Sequence, residues 1–294
     1  MDINNLYGSV ENEDEDEEFR CLRDYIKTVC GICIPPEKSY LIETRLSKLM
    51  VDVGTEDFTE FYNILVSKPD PLLRQKIIDA ITTNESLWFR DVTPWKLLEE
   101  VVIPKLVDEI ASGRKIRARI WSSAVSTGQE IYSAVMCIDR YLKRHPEKGV
   151  KLSDFEFIGT DISNRVLDIA KKGRYDRISM TRGMREDYKL EYFTENGFAW
   201  DISPRIRDAV SFRHLNLMDS YGSLGVFDII FCRYVLIYFA NELKREIISK
   251  MNGALKDNGI MLIGNYVLYD MISQNYDVNH YENITYYSKK AVIK

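Results

Sequence analysis

The sequence predicts an α/β fold, a doubly wound and mainly parallel sheet, preceded by a small all-helical domain. From Trp95 onward, short apolar runs typical of buried strands alternate with amphipathic helical segments. This alternation favours a parallel sheet with helices on both faces. Residues 19–90 instead carry apolar side chains at helical spacing throughout, as Leu22 and Ile26 illustrate. We therefore expect the second domain to span 91–294.

Apolar spacing and turn residues predict the elements of both domains. In the helical domain, helices are expected at 19–29, 41–54, 57–65 and 72–81. In the second domain, a helix near 97–106 precedes strands expected at Ile116–Trp121, Phe155–Thr160, Val210–His214, Phe227–Cys232 and Ile260–Ile263. Helices are expected between them at Glu130–Leu142, Arg165–Lys171 and Glu242–Ala254. The run Tyr281–Ser288 is expected to add one antiparallel edge strand.

An aromatic-rich segment interrupts this alternation between residues 183 and 210. Apolar and aromatic side chains flank Asn196-Gly197, a pair that favours the tight turn of a two-stranded hairpin. The sequence therefore predicts a short β-hairpin subdomain inserted into the main domain at about 183–210.

Composition and charge narrow the class of protein. The chain has 294 residues and a net charge of −5, whereas nucleic-acid binders usually carry an excess of basic residues. Much of the negative charge lies in Glu11–Glu18, which predicts a disordered, acidic tail over 1–18; a specific partner for this tail is the alternative.

Targeting signals and metal ligands are also lacking in the sequence pattern. Apolar runs are shorter than the ~18–20 residues that a membrane-spanning helix requires. The N-terminus does not have the pattern of a secretory signal peptide, so we expect a cytoplasmic protein. The three histidines are too scattered to predict a metal site.

A strand, a turn of small residues and a helix start follow one another in Arg119–Glu130, and a second strand ends at Asp161. Such a turn brings a ligand close to backbone N–H groups, and an acid after the second strand can accept hydrogen bonds from ribose hydroxyls. Dinucleotide-binding enzymes need the three glycines of a G-x-G-x-x-G motif so that the backbone can approach the pyrophosphate closely. Only Gly128 is present in this turn. An adenosyl ligand without phosphates, such as S-adenosylmethionine, fits better.

Polar residues that directly follow the predicted strands are the candidates for the binding site. In open parallel sheets, ligands bind beyond the carboxyl ends of the strands. The candidates on that rim are Ser126–Glu130, Asp161, Asn216-Leu217 and Arg233-Tyr234.

Five separated motifs, in order along the chain, carry a resemblance to a known family. They are Thr82–Arg90, Trp121–Glu130, Gly159–Ser163, Asn216-Leu217 and Phe227–Phe239. Together they resemble the CheR family of chemotaxis receptor methyltransferases, from about residue 19 to residue 290. The resemblance implies a class I methyltransferase-like fold. It also implies an enzyme that esterifies glutamate side chains on the cytoplasmic helices of chemotaxis receptors, with S-adenosylmethionine as methyl donor and S-adenosylhomocysteine as product.

The resemblance also implies roles for individual residues. Arg90 and Tyr238 match the residues near the transferred methyl group and are the expected catalytic residues. Glu130 matches the acid that meets the methionine amino group, and Asp161 matches the acid that holds the ribose. The full set expected at the cofactor is Asn84, Ser86, Arg90, Glu130, Asp161, Asn216, Leu217, Arg233 and Tyr234.

Several positions depart from the family pattern. Tyr234 stands where the family normally has asparagine, and Asn265-Tyr266 stands where it has Ser-Glu. Gln129 replaces a glutamate, and the usual Pro-Gly-Gly or Pro-Asp-Gly turn reads Lys256–Gly259. These departures motivate an alternative, a catalytically impaired S-adenosylmethionine-binding regulatory or docking protein. A nicotinamide dehydrogenase is disfavoured because the glycine pattern is missing.

The expected contacts with a receptor lie in two regions. Lys38, Arg45 and Lys48 could present positive charge to an acidic receptor helix, as the resemblance implies; a solvated helix face is the alternative. The inserted hairpin corresponds to a subdomain that docks a receptor-tail peptide in some family members, and a packed structural flap is the alternative there.

Overall fold

The computed structural model describes residues 17–264 and 269–290. Residues 1–16 of the predicted acidic tail and the pair Asn265-Tyr266 lie outside the described residues. The chain divides into two compact units, the first ending at Ile81 and the second beginning at Thr82. The segment 82–90, which we expected to end the helical domain, therefore belongs to the second unit.

The first unit is all-helical, as predicted. Its helices are α1 (Glu17–Cys30), α2 (Tyr40–Val53), α3 (Phe58–Ser67) and α4 (Pro71–Ile81), with a 3₁₀ turn at Pro36–Lys38. Side chains such as Leu22, Leu46 and Phe61 are fully buried among these helices. Asp57 caps α3, because its carboxylate accepts a hydrogen bond from the Glu60 amide at 2.7 Å.

The second unit is built on a seven-stranded sheet. Its strands are β1 (Ala118–Ser122), β2 (Phe155–Asp161), β6 (Val210–His214), β7 (Phe227–Cys232), β8 (Leu255–Ile263), β9 (Tyr276–Tyr281) and β10 (Ile284–Lys289). They lie side by side in the order β6-β2-β1-β7-β8-β10-β9. The first five pair in parallel, which confirms the predicted doubly wound sheet. The chain end differs from the prediction of one edge strand, because it turns at Glu282 and forms the antiparallel hairpin β9–β10.

Helices flank this sheet in the alternating order that the sequence predicts. Helix α5 (Val92–Leu97) continues through a π-helical turn at Leu98–Val102 into α6 (Ile103–Ala111). The remaining helices of the second unit are α7 (Gln129–Arg144), α8 (Asn164–Lys172), α9 (Arg177–Thr181), α10 (Glu186–Tyr192), α11 (Pro204–Arg207), α12 (Asn241–Ala254) and α13 (Tyr269–Ile272). Among the residues that the structure describes, no helix is both long and apolar enough to cross a membrane.

The inserted subdomain is larger than the predicted hairpin. Strands β4 (Phe193–Asn196) and β5 (Ala199–Ile202) form the expected antiparallel pair around Asn196-Gly197. A third strand, β3 (Arg174–Asp176), pairs with the other edge of β5, so the small sheet begins before residue 183. A strand of three residues with one buried side chain, Tyr175, is too short to show an alternating pattern.

Candidate functional site

The loop after β1 brings backbone N–H groups to the carboxyl rim of the sheet. Helix α7 begins at Gln129, directly after Gly128, whose backbone has a φ of +99°. A β-carbon at this position would come within 2.9 Å of the Tyr132 ring. Glycine is therefore required where the loop turns into the helix, as the sequence motif suggests.

Asp161, at the end of β2, holds this loop in place. Its Oδ2 accepts a hydrogen bond from the Ser126 amide at 2.8 Å, and its Oδ1 accepts one from the Ser163 amide at 3.0 Å. Burial raises the pKa of this carboxyl group, and the amide hydrogen bonds oppose that shift. Each carboxylate oxygen has two lone pairs, so Asp161 can still accept hydroxyl groups of a ligand.

Glu130, in the first turn of α7, forms an ion pair with Arg233, which directly follows β7. Glu130 Oε2 lies 3.0 Å from Arg233 Nη1, and Glu130 Oε1 accepts a hydrogen bond from the Ser122 hydroxyl at 2.8 Å. The Arg233 side chain is only 3% exposed, so its charge requires such a partner. Arg233 and Ser122 therefore orient the two oxygens of the Glu130 carboxylate.

The segment Asn84–Asp91 is tied to this rim at both ends. The Asn84 carbonyl accepts a hydrogen bond from the Ser126 hydroxyl at 2.9 Å. The Arg90 carbonyl accepts one from Arg233 Nη2 at 2.7 Å. Between them, Trp88 is fully buried and anchors the segment in the core. The segment thus brings Asn84 and Arg90 to residues that follow β1 and β7.

Arg90 lies against Tyr234 in a cluster that includes Asp91. The Arg90 guanidinium carbon is 3.4 Å from the centroid of the Tyr234 ring. The Tyr234 hydroxyl donates a hydrogen bond to the Asp91 carboxylate, which also pairs with Arg233 Nη2 at 2.7 Å. Burial and the Asp91 carboxylate raise the pKa of Tyr234, so the hydroxyl stays a donor. Sequence reasoning missed Asp91, because only the folded chain brings it next to Arg233.

Backbone strain is concentrated at the same place. Among the described residues, six non-glycine residues have a left-handed φ, and four of them belong to this site: Phe89 at 45°, Asp91 at 58°, Ser126 at 51° and Tyr234 at 59°. Such conformations cost on the order of 1–3 kcal/mol each and persist at sites where the surrounding structure enforces them. The clustering supports a functional role for this rim.

The remaining residues expected at the site from the sequence are Asn216, Leu217, Ser86 and Tyr238. Asn216-Leu217 follow β6, and the Leu215 amide donates to the Asp161 carbonyl at 3.0 Å. Ser86 is half-buried, as is Tyr238 at the end of a 3₁₀ turn. The roles of these residues stay predictions.

Within 17–264 and 269–290, no group of three or more metal-ligating side chains could hold a metal ion.

The basic residues expected to bind substrate differ in exposure. Lys38 and Lys48 are exposed in the first unit. Arg45 is half-buried and donates a hydrogen bond to the Ile81 carbonyl at the end of α4. The Arg45 guanidinium therefore stabilises the first unit itself. Because Lys38 and Lys48 are exposed, they are the better candidates for contact with a partner.

Comparison with known proteins identifies the family of this chain. Residues 84–284 match the family "CheR methyltransferase, SAM binding domain", and residues 17–82 match "CheR methyltransferase, all-alpha domain". Chemotaxis protein methyltransferase 1 of Pseudomonas aeruginosa is 41% identical over 248 residues, covering 84% of this chain and 88% of that protein. Chemotaxis protein methyltransferase Cher2 of Pseudomonas putida is 38% identical over the same shares of the two chains. This chain therefore belongs to the CheR methyltransferase family, with an all-helical N-terminal domain followed in the sequence by an S-adenosylmethionine-binding domain.

Proposed function

We propose that this enzyme transfers the methyl group of S-adenosylmethionine to glutamate side chains of chemotaxis receptors, giving glutamyl methyl esters. Its relatives are named chemotaxis protein methyltransferases. The observation that carries the proposal is the contact network that links Arg90 to the cofactor rim through Arg233 and Glu130. Receptor cytoplasmic helices as substrates would place the enzyme in the cytoplasm.

The residues on the rim suit an adenosyl ligand. Asp161 offers an anionic acceptor for ribose hydroxyls, and the turn at Gly128 lets the ligand approach the backbone closely. Glu130 offers a carboxylate to the methionine ammonium group. We assign Asn216-Leu217 to the adenine ring, as the family resemblance implies; they follow β6, the strand next to β2.

The chemistry requires alignment more than acid–base catalysis. S-adenosylmethionine supplies an electrophilic methyl carbon on a sulfonium, so the glutamate oxygen forms the new bond while the carbon–sulfur bond breaks and sulfur keeps the electron pair. A glutamate with an ordinary pKa near ~4.3 is already ionised at neutral pH, so no base is needed. Arg90 would orient the incoming carboxylate through its planar fork of N–H groups, a positioning effect.

Methyl transfer from labelled S-adenosylmethionine to receptor cytoplasmic fragments tests the proposal. We expect base-labile methanol from the wild type. Arg90→Lys should lower kcat by about 10- to 100-fold, because a hydrogen bond to a charged group is worth about 1.5–3 kcal/mol and Lys cannot form the bidentate pair. Arg144→Lys, at an exposed position on α7, is the matched control. If S-adenosylhomocysteine binds but no receptor is labelled, the proposal is refuted in favour of the catalytically impaired alternative.

Charge reversal at Lys38 and Lys48 tests the receptor-binding surface. Both side chains are exposed, so the double change to glutamate should leave the fold and the affinity for S-adenosylhomocysteine intact. We expect the KM for a receptor fragment to rise about 10-fold at low salt and less at high salt, because exposed charges are screened. Lys76→Glu, an exposed change on α4, is the control. An unchanged KM would leave these lysines as part of a solvated face.

A further inference from the structure

Tyr234 is held on several sides by neighbouring residues. Its hydroxyl donates a hydrogen bond to the Asp91 carboxylate, and the Arg90 guanidinium lies over its ring. Gly264, at the end of β8, leaves room for the ring: a β-carbon there would lie 3.3 Å from Tyr234 Cδ1. The Tyr234 backbone is itself left-handed, with a φ of 59°. Together these contacts fix the orientation of the aromatic ring.

From these contacts we infer that Tyr234 is a positioning residue that acts through Arg90, rather than a cofactor-binding residue. The inference rests on the proposed function. A guanidinium stacked on an aromatic ring has its face covered while its N–H edges stay free for a carboxylate. At 3.4 Å, the contact also adds a cation–π attraction that limits the rotamers of Arg90.

The sequence led us to expect a contact between Tyr234 and the cofactor; the inferred role is contact with Arg90 instead. The asparagine that the family normally has at this position would offer no aromatic ring for a cation–π contact with the guanidinium. Arg90 already has its backbone carbonyl tied to Arg233 and Trp95, at 2.7 and 3.0 Å. Its side chain, in contrast, is half-buried beside Tyr234. The aromatic ring thus orients the part of Arg90 that would meet the acceptor carboxylate.

A double-mutant cycle tests whether Tyr234 acts through Arg90. Cation–π contacts are worth about 0.5–2 kcal/mol, so Tyr234→Leu should lower kcat about 2- to 30-fold with the affinity for S-adenosylhomocysteine unchanged. In the Arg90→Ala background the same change should have less than about a 2-fold effect, because the partner is gone. Leucine keeps the β-carbon, so the backbone strain is matched. Equal losses in both backgrounds, or a loss of cofactor affinity, would overturn the inference.

Two further measurements separate stacking from other roles. Tyr234→Phe keeps the ring and loses the bond to Asp91, so it should rescue most of the kcat that Tyr234→Leu loses; a loss equal to that of leucine would contradict stacking. In the cofactor-free protein, ring-current shifts of the Arg90 side-chain resonances should disappear in Tyr234→Leu and persist in Tyr234→Phe. Shifts that survive in the leucine variant would also contradict the inference. If the wild type methylates no receptor, the proposed function fails instead, whereas these resonances still report on the stack.

Discussion

Replacing Gly183 with alanine is expected to displace the segment that carries Arg90. A β-carbon at Gly183 would lie 2.1 Å from the Trp88 carbonyl oxygen, a backbone atom that no side-chain rotation can move away. The Trp88 amide is bound on the same side, donating to the Arg182 carbonyl at 3.0 Å. Trp88 also packs edge-on against Tyr175 and Phe193 of the inserted subdomain, at centroid distances of 4.9 and 5.2 Å. The clash therefore acts on the chain two residues before Arg90.

Gly113→Ala is the matched control for this prediction. Gly113 has a φ of +73°, close to the +83° of Gly183, but nothing lies within 4 Å of its added β-carbon. Both changes cost about 1–2 kcal/mol for a left-handed alanine, and overpacking adds about 1–3 kcal/mol at Gly183 alone. We expect only Gly183→Ala to weaken cofactor binding and to reduce kcat as well.

Tryptophan fluorescence during denaturant titration is the measurement for stability. The four tryptophans of the chain all lie in the second unit, so the signal reports the free energy of unfolding of that unit. Calorimetry with S-adenosylhomocysteine gives the affinity. Equal losses for the two alanine variants would mean that the segment around Trp88 moves freely and does not depend on its contact with the subdomain.

The sequence predicts the elements with a strong pattern and misses those without one. Strands β6 and β7 coincide with their predicted bounds, because each is a short apolar or alternating run between polar turns. Strand β8 begins earlier than predicted: Leu255 pairs with Phe227, and the turn residues Lys256–Gly259 then loop out before pairing resumes at Ile260. The first residues of β8 were not predicted because turn residues follow Leu255 directly. Local composition does not show that Leu255 pairs with a neighbouring strand.

The candidate site shows the same limit. Asp161 and Glu130 follow predicted strands, so topology alone brings them to one rim. The ion pair of Asp91 with Arg233 joins residues separated by 142 positions, and the left-handed backbone of both Asp91 and Tyr234 has no sequence pattern in non-glycine residues. Such contacts depend on how the strained segment folds onto the sheet.

Asp161→Asn is expected to weaken S-adenosylhomocysteine binding by about 100-fold. The amide keeps the size of the side chain but replaces one acceptor oxygen with a donor. Hydrogen bonds to a charged group are worth about 1.5–3 kcal/mol, and every 1.4 kcal/mol is tenfold in affinity. The amides of Ser126 and Ser163 both need an acceptor here, so the loop loses support as well. Wild-type affinity in this variant would exclude Asp161 from the ribose.

The pH dependence of binding should identify Asp161 as the group responsible. Burial raises the pKa of this carboxyl in the folded, ligand-free protein, so protonation begins at a higher pH than for an exposed aspartate. Ribose hydroxyls donate to the anion, so affinity should fall as the pH is lowered through that raised pKa. For stability the sign is opposite: a raised folded pKa means that protonation of Asp161 favours the folded state. Calorimetry from pH 7 downward should show the loss of affinity in the wild type, whereas Asp161→Asn, which cannot titrate, should lack this component; the same pH dependence in both proteins would assign the titration to another group.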